Sequence, residues 1–429
     1  MNAVIKERIN QVRCGKVPEG YRHTKGIGVT PVGWPLGKME DVLHNVQRPV
    51  PKPGKAYWRL GLRSHAKGTF HELVEDPDAI KMDELYEVNE DDLVVNITFA
   101  WEHAIALAGK EDEGMLVSHR FPTYVFNDGN SPQFYKAMVT QKQFKGMLEN
   151  ISPGGAGRNR VMSKPAFLKL TIAVPPSTEQ KKIAEILTHC DKVIDLKEQL
   201  IEGKRRRKKW LMQKLLHTDS GISLPGFEGS EWISKPLKQM CSIIIDGDWI
   251  ESKDQSDKGI RLIQTGNIGI GVFIEKAERA RYIDDVTFMR LKCNEVFPGD
   301  ILISRLPDPI GRACMIPNLN YRTITAVDCS IVRFKNPNEA RFFIQYSCTD
   351  NYFKAVSILS GGSTRTRISR KELEKLPVSM PKKSSELTAI SEVLFAADRE
   401  IYLLEQELVH WQLKKKSLMQ LLLTGIVRV

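Results

Sequence analysis

One long-helix sequence occurs twice in this chain, and that duplication constrains the fold more than any other feature. Leu211-Met212-Gln213-Lys214-Leu215-Leu216 returns as Leu418-Met419-Gln420-Leu421-Leu422-Leu423, a shift of 207 residues. The same shift carries Ile183 onto Ile390, Leu187 onto Leu394, Asp191 onto Asp398, Ile194 onto Ile401, and Glu198-Gln199 onto Glu405-Gln406. A 429-residue chain that repeats at nearly half its length has two comparable halves. Such a chain is built to do one thing at two places.

The segments before each helix also recur, with drifting offsets. Gly154-Gly155 followed by Arg158 and Arg160 matches Gly361-Gly362 followed by Arg365 and Arg367 at 207. Asp92-Leu93-Val94-Val95 aligns with Asp300-Ile301-Leu302-Ile303 at 208, and Arg59-Leu60 with Arg261-Leu262 at 202. Drift means small loop insertions, which surface loops tolerate. The pattern is a constant helical frame carrying two variable heads.

Along each repeated helix the apolar residues recur at alternating steps of three and four. Ile183, Leu187, Cys190, Ile194 and Ile201 lead to Leu211 and Leu215, with Lys197, Lys204 and Lys208 interspersed. The second copy runs Ile390, Leu394, Ala397, Ile401, Leu404, Leu408, Trp411, Lys415, Leu418, Leu422. This is the a/d seam of a coiled coil, and polar residues within a seam weaken it while fixing register. The spacing predicts helices over 179–217 and 386–424, each about 58 Å long at 1.5 Å per residue. Pro175-Pro176 stops the preceding strand, and Ser177 or Thr178 is placed to cap the first helix. Each helix has one apolar stripe, and the simplest partner for that stripe is the other copy, packed antiparallel.

The expected organisation is an N-terminal basic helix and arm (1–32), a first head (33–175), a first spacer helix (176–220), a second head (221–380) and a second spacer helix (381–429). The fold class is α+β: two similar mixed α/β domains separated by two long antiparallel coiled-coil helices with a pseudo-twofold internal repeat. In the first head, Leu93–Ile97 and Thr123–Phe126 are strand-like, the latter ending at the turn Asn127-Asp128-Gly129-Asn130. Gln133 to Leu148 is expected as a helix, with Phe134, Ala137, Met138, Phe144 and Leu148 inward.

Composition adds modest limits. A hydrophobic share of 41% is enough for true cores, and a net charge of +11 favours a polyanionic partner. Seven scattered cysteines without a C-x-x-C argue against a disulfide framework or a zinc site and for a reducing, cytoplasmic setting. The N-terminus has no apolar signal-like run, and no stretch is apolar enough to span a membrane.

Catalytic signatures are missing from the sequence. There is no P-loop, no dinucleotide-binding glycine motif, no H-E-x-x-H and no Asn-Pro-Pro-Tyr-type methyltransferase motif. His71-Glu72 is expected on a loop, and Asp246 with Glu251-Ser252-Lys253 is too cramped for a nuclease site and is read as a solvated loop. No cofactor or metal is expected in this chain. The polar signals instead suit nucleic acid. The first head offers Arg59, Arg63, His65, Lys67, Arg158 and Arg160; the second offers Arg261, Gln264, Asn267, Arg305, Arg312, Arg365 and Arg367. Arg reads guanine and Asn or Gln reads adenine in the major groove, whereas recurrent arginines suit phosphate positioning. The run Lys204-Arg205-Arg206-Arg207-Lys208-Lys209 fits a DNA backbone or a solvated helix face equally well.

The chain resembles the specificity subunits of type I restriction–modification enzymes over essentially its whole length. The resemblance rests on Pro175-Pro176-x-x-Glu179-Gln180-x-x-Ile183-Ala184-x-x-Leu187 with Asp191, and on Leu211-Met212-Gln213 with its repeat. The C-terminal Leu422-Leu423-Thr424-Gly425-Ile426-Val427-Arg428-Val429 and the domain-opening Trp34-Pro35-Leu36-Gly37 and Trp232 add to it. One departure is the second helix, which opens Ser384-Ser385-Glu386-Leu387 without the Glu-Gln of the first. The resemblance implies a non-catalytic subunit whose two heads are target-recognition domains, each reading half of a split double-stranded DNA target. It implies helices that act as a ruler and as docking sites for two adenine methyltransferase subunits, and through them for restriction subunits. Those partners would use S-adenosylmethionine, ATP and Mg2+. Two rival readings are a coiled-coil adaptor that binds protein alone and a fragment of a fused restriction–methylation enzyme.

Overall fold

The computed structural model describes residues 3–154, 160–217, 222–361 and 366–429. The chain divides into two compact units. Unit one comprises Met1–Glu198 together with Glu407–Val429, and unit two comprises Gln199–Gln406. Both divisions fall inside long helices, which run Ser177–Leu215 and Ser384–Leu423.

Unit one begins with a helix, Ala3–Arg13. The arm that follows is not irregular. It forms the hairpin β1 (Tyr21–Thr24) and β2 (Gly28–Pro31). Then come β3 (Leu36–Lys38), β4 (Leu43–Val46), β5 (Pro49–Pro51), β6 (Tyr57–Leu62), β7 (Thr69–Val74) and β8 (Glu84–Val88). The strands β9 (Leu93–Val95), β10 (Ile105–Leu107), β11 (Met115–Val117), β12 (Thr123–Phe126) and β13 (Thr171–Ala173) complete the head. Four strands form one sheet in the order β10-β9-β12-β4, and five form another in the order β5-β8-β11-β6-β7. All pairings are antiparallel except β11 with β6. The last strand, β13, pairs with β3, so the head closes where it opened.

Unit two repeats this plan. Its strands are β14 (Trp232–Pro236), β15 (Cys241–Asp246), β16 (Ile260–Ile263), β17 (Arg281–Ile283) and β18 (Glu295–Val296). They continue with β19 (Ile301–Ser304), β20 (Ala313–Met315), β21 (Thr323–Thr325), β22 (Cys329–Phe334) and β23 (Pro377–Pro381). The sheets run β15-β22-β19-β20 and β17-β16-β21-β18, with β14 paired to β23. Again one pairing within these sheets is parallel, β16 with β21. Strand for strand, β16 stands for β6, β17 for β7, β19 for β9 and β22 for β12. The sequence repeat is therefore a repeat of topology.

Local chemistry sets the element ends. The strand read as Leu93–Ile97 stops at Val95 because Asn96 turns the chain, its Oδ1 accepting from the Thr98 amide at 3.0 Å. The helix read across 133–148 is two helices, Pro132–Val139 and Lys142–Asn150. At the break, the Thr140 hydroxyl donates to the Ala137 carbonyl at 2.9 Å, an alternative to the helical ladder. Its inward residues follow the expected stripe: Phe134, Phe144 and Leu148 are buried, and Ala137 and Met138 are half-buried. His71 lies on β7 rather than on a loop, and its Nε2 meets Asp112 Oδ1 at 2.7 Å.

The two long helices are amphipathic in the expected register. Within unit one, Ile183, Leu187 and Leu422 are buried in the core around Trp34, Tyr124, Phe134 and Phe167. Within unit two, Leu215, Ile390 and Leu394 are buried with Phe342, Phe343 and Tyr352. Ile201 is also buried, and Ile194, Leu211, Ile401, Leu404, Leu408, Trp411 and Leu418 are half-buried. The turns nearest each head thus pack on the head as well as on the partner helix. Burying a Leu or Ile side chain contributes roughly 1.5–3 kcal/mol. The seam lysines meet carboxylates. In unit one, Lys197 pairs with Glu407 at 2.5 Å and Lys415 with Asp191. In unit two, Lys204 pairs with Glu400 and Lys208 with Asp398. Rising numbers on one helix meet falling numbers on the other, so in each unit the helices pair antiparallel.

Candidate nucleic-acid interface

Each head is braced by a buried aspartate at the start of a central strand. Asp92, just before β9, accepts from the Asn89 amide at 2.8 Å and from both guanidinium nitrogens of Arg48, at 2.6 and 3.2 Å. Its counterpart Asp300, before β19, accepts from the Phe297 amide at 2.8 Å and from Arg333 twice at 2.7 Å. Both carboxylates are 2% exposed. A bidentate arginine supplies the charge-assisted hydrogen bonds that offset the cost of burying a carboxylate. The two arginines come from different places in the repeat: Arg48 lies in the connection between β4 and β5, whereas Arg333 is on β22, which corresponds to β12.

The Pro-Pro-x-x-Glu-Gln segment holds unit one together. Glu179 is buried and accepts from the indole Nε1 of Trp34 at 2.9 Å and from Arg428 at 2.5 and 2.8 Å. The Arg428 guanidinium lies 5.7 Å from the Trp34 ring. Gln180 accepts from the Ser131 amide at 2.9 Å and donates to the Pro175 carbonyl at 2.9 Å. The helix begins at Ser177, so neither Ser177 nor Thr178 precedes it as a cap. Pro176 takes that place, its carbonyl accepting from the amides of both Glu179 and Gln180 at 2.9 Å. In unit two the Gln180 position is Leu387, buried in the apolar core.

The arginines singled out from sequence divide sharply by environment. Arg261 is buried on β16 and spends its guanidinium on the Arg281 and Lys276 carbonyls and on Glu275. Arg305 is also buried; it pairs with Asp246 at 3.1 Å, and burial lowers its pKa. Arg312 donates to four carbonyls, those of Ile268, Leu306, Pro309 and Thr265. Asn267 is 4% exposed and bonds the Gln264 amide and the Ile274 carbonyl. These four were expected at DNA; they instead tie loops to the sheet, because buried carbonyls need donors. Gln264 is half-buried beside them. Arg59 is half-exposed and paired with Glu72 at 2.6 Å, and Arg367 is exposed and paired with Asp328 at 3.0 Å. Arg160 rests 5.5 Å over the Trp101 ring. Arg158 and Arg365 lie outside the described residues. Arg63 and Lys67 remain exposed on the β6–β7 turn.

Residue type alone missed the counterpart of that turn. In unit two the β16–β17 connection carries exposed Ile270, Val272 and Ile274. The one sequence signal was the change in repeat offset between Arg59 and Asp92, from 202 to 208, which places extra residues in this part of unit two. The long helices leave a second exposed set: Leu196, Val409 and Leu413 in unit one, and Leu200, Tyr402 and Leu403 in unit two. Among the described residues, no cluster of His, Cys, Asp and Glu is arranged to hold a metal ion, and no helix is long and apolar enough to cross a membrane.

Two α+β units share one core topology, to which unit one adds the β1–β2 hairpin and the edge strand β5, and each contains part of both long coiled-coil helices; together they define an internally duplicated recognition subunit. Sequence comparison makes this specific. The family model for the type I restriction modification DNA specificity domain matches residues 76–203 and 229–410, one match per repeat, and the chain belongs to that family. A putative type I restriction enzyme MjaX specificity subunit of Methanocaldococcus jannaschii is 24% identical over 436 aligned positions, covering 96% of this chain and 97% of that protein. The type I restriction enzyme MjaVIII specificity subunit of the same organism is 27% identical over 282 positions, covering 62% and 64%. Among solved structures, a type I restriction–modification S subunit from M. genitalium superposes with a TM-score of 0.56 at 14% identity, covering 94% of this chain and 97% of that one. A chain from a study of complex assembly and conformational transition in the type I system gives 0.57 at 13% identity, covering 93% and 99%. These two likenesses establish the fold.

Proposed function

We propose that this specificity subunit reads a bipartite double-stranded DNA target, one half-site per unit, and performs no catalysis itself. The observation that carries the reading is one topology present twice with different surface loops. Two identical readers would need identical loops, whereas readers of two different half-sites need a common scaffold and divergent tips. The net charge of +11 suits a phosphate backbone.

The exposed apolar side chains on the long helices support docking of two adenine methyltransferase subunits there, with restriction subunits recruited through them. Leu196 and Leu403 occupy equivalent positions in the repeat, which favours one docking surface per unit. S-adenosylmethionine, ATP and Mg2+ belong to those partners, and the complex acts in the cytoplasm. The test is to map methylated adenines in DNA modified by the assembled complex. The expected result is two short half-sites separated by a fixed gap. A single continuous site, or methylation without sequence preference, refutes the proposal.

A further inference from the structure

We infer that the connection leaving the equivalent strands β6 and β16 is the base-reading element of each unit, and that the two read by different chemistry. The inference rests on the DNA-reading function proposed above. In both units this connection is fastened to the same neighbour, the loop between the next two central strands. In unit one the His65 amide donates to the Glu102 carbonyl and the Ala66 amide to the His103 carbonyl, both at 2.8 Å, while the Ser64 hydroxyl donates to Glu102 at 2.6 Å. In unit two Arg312 gathers the Thr265 and Ile268 carbonyls, and the Gly271 amide donates to the Ala313 carbonyl at 2.8 Å. Each tip is therefore built rigidly onto the sheet. Gly271 has φ +73°, and a Cβ there would lie 2.6 Å from the Cys348 sulfur. His65 and Ala66 hold left-handed φ of 64° and 52°, a cost that side-chain types of this kind bear only where the surroundings impose it.

What the tips present differs. Unit one shows Arg63, His65 and Lys67; among the described residues none of the three pairs with a carboxylate, although nearby Arg59 and Glu72 do pair. Arg63 lies 5.5 Å from the Phe70 ring and donates to the Thr69 carbonyl, so its direction is already set. Unit two shows Ile270, Val272 and Ile274, each more than two-fifths exposed. Arginine and lysine recognise the guanine O6/N7 edge, and apolar groups recognise the thymine methyl. Rigid tips make that recognition without a large ordering cost. Unit one is thereby assigned a guanine-containing half-site and unit two a thymine-containing one.

The experiment is selection from a pool of randomised duplexes by the full-length chain assembled with its modification subunits. Wild type is compared with Arg63→Gln/Lys67→Gln and with Ile270→Ser/Val272→Ser, each checked for an unchanged thermal melt. If the second pair lowers the melt, Ile270→Ser alone replaces it. The expected result is that each variant loses preference at one or two positions of one half-site, by roughly tenfold or more, and leaves the other half-site intact. An unchanged consensus in both half-sites, including a uniform loss of affinity from lost phosphate contacts, overturns the inference. If wild type selects no consensus, it is the proposed DNA-reading function that fails first.

Discussion

Lys415 of the second long helix pairs with Asp191 of the first, and the same two repeat positions pair again as Lys208 with Asp398. A shift of 207 residues maps each member of one pair onto a member of the other. A seam lysine is costly in an apolar coiled coil, and here each is matched to a carboxylate. The pairing specifies one alignment of the helices rather than adding much stability, since such partly exposed bridges are worth about 0.2–1 kcal/mol.

Charge reversal tests that reading. Asp191→Lys and Lys415→Asp should each lower the unfolding free energy, and the double reversal should recover most of the loss. A coupling energy near zero in the double-mutant cycle, measured by urea titration, would remove the register role.

The seam itself is a packing interface. Leu394 is fully buried, so Leu394→Ala should cost about 2–5 kcal/mol through lost transfer energy and an incompletely collapsed cavity. Leu413, 59% exposed on the same helix, should tolerate Ala within about 0.5 kcal/mol in the isolated chain. With methyltransferase subunits present, Leu413→Ala should instead weaken assembly, as read by analytical ultracentrifugation.

The buried aspartates should behave alike. Asp300→Ala strands half-exposed Arg333 and the Phe297 amide, and should cost about 1–3 kcal/mol in chemical denaturation. Replacing Arg322, which is itself exposed and pairs with exposed Asp285 and half-buried Glu295, should matter far less.

Acid should loosen unit one through His103. Burial holds this imidazole's pKa below its ordinary 6.5, and its Nε2 meets the Val139 carbonyl at 2.7 Å. A depressed histidine contributes stability that is complete above the unfolded value and is lost as the pH falls through the folded one. Stability should therefore decline as the pH drops below 6.5. His103→Asn, which suits the residue's left-handed φ of 68°, should flatten that slope while lowering stability at neutral pH. Urea midpoints measured across the range decide it; an equally steep slope in the variant would assign the acid effect elsewhere.

Length changes in the helices address the ruler. Inserting one heptad in each helix at matched seam positions adds about 10 Å of helix. The tolerated gap between half-sites should change and the half-sites themselves should not. Altered half-site sequences would contradict the ruler.

The helices were legible because burial and repetition coincide in them. Ile183 with Ile390 and Leu187 with Leu394 are all in cores, so their spacing and recurrence carry the same message. The polar surface was less legible. Arg63 and Arg261 are one residue type in neighbouring places of equivalent units, yet one is exposed and the other is 3% exposed and committed to carbonyls. Which outcome holds depends on how many unpaired carbonyls the surrounding loops leave, a property of tertiary packing. The apolar tip around Ile270 was hidden for the opposite reason: isoleucine and valine beside strands read as core until the chain is folded.

The hydrogen bond from the Tyr21 hydroxyl to the Gly425 carbonyl, with Arg428 on Glu179 beside it, joins early residues of unit one to its latest ones. Unit two is a single uninterrupted stretch, so a ribosome can deliver all of it while unit one still waits for its last helix. Unit two is thus free to mature first, and unit one closes only when its final strap, Glu407–Val429, arrives.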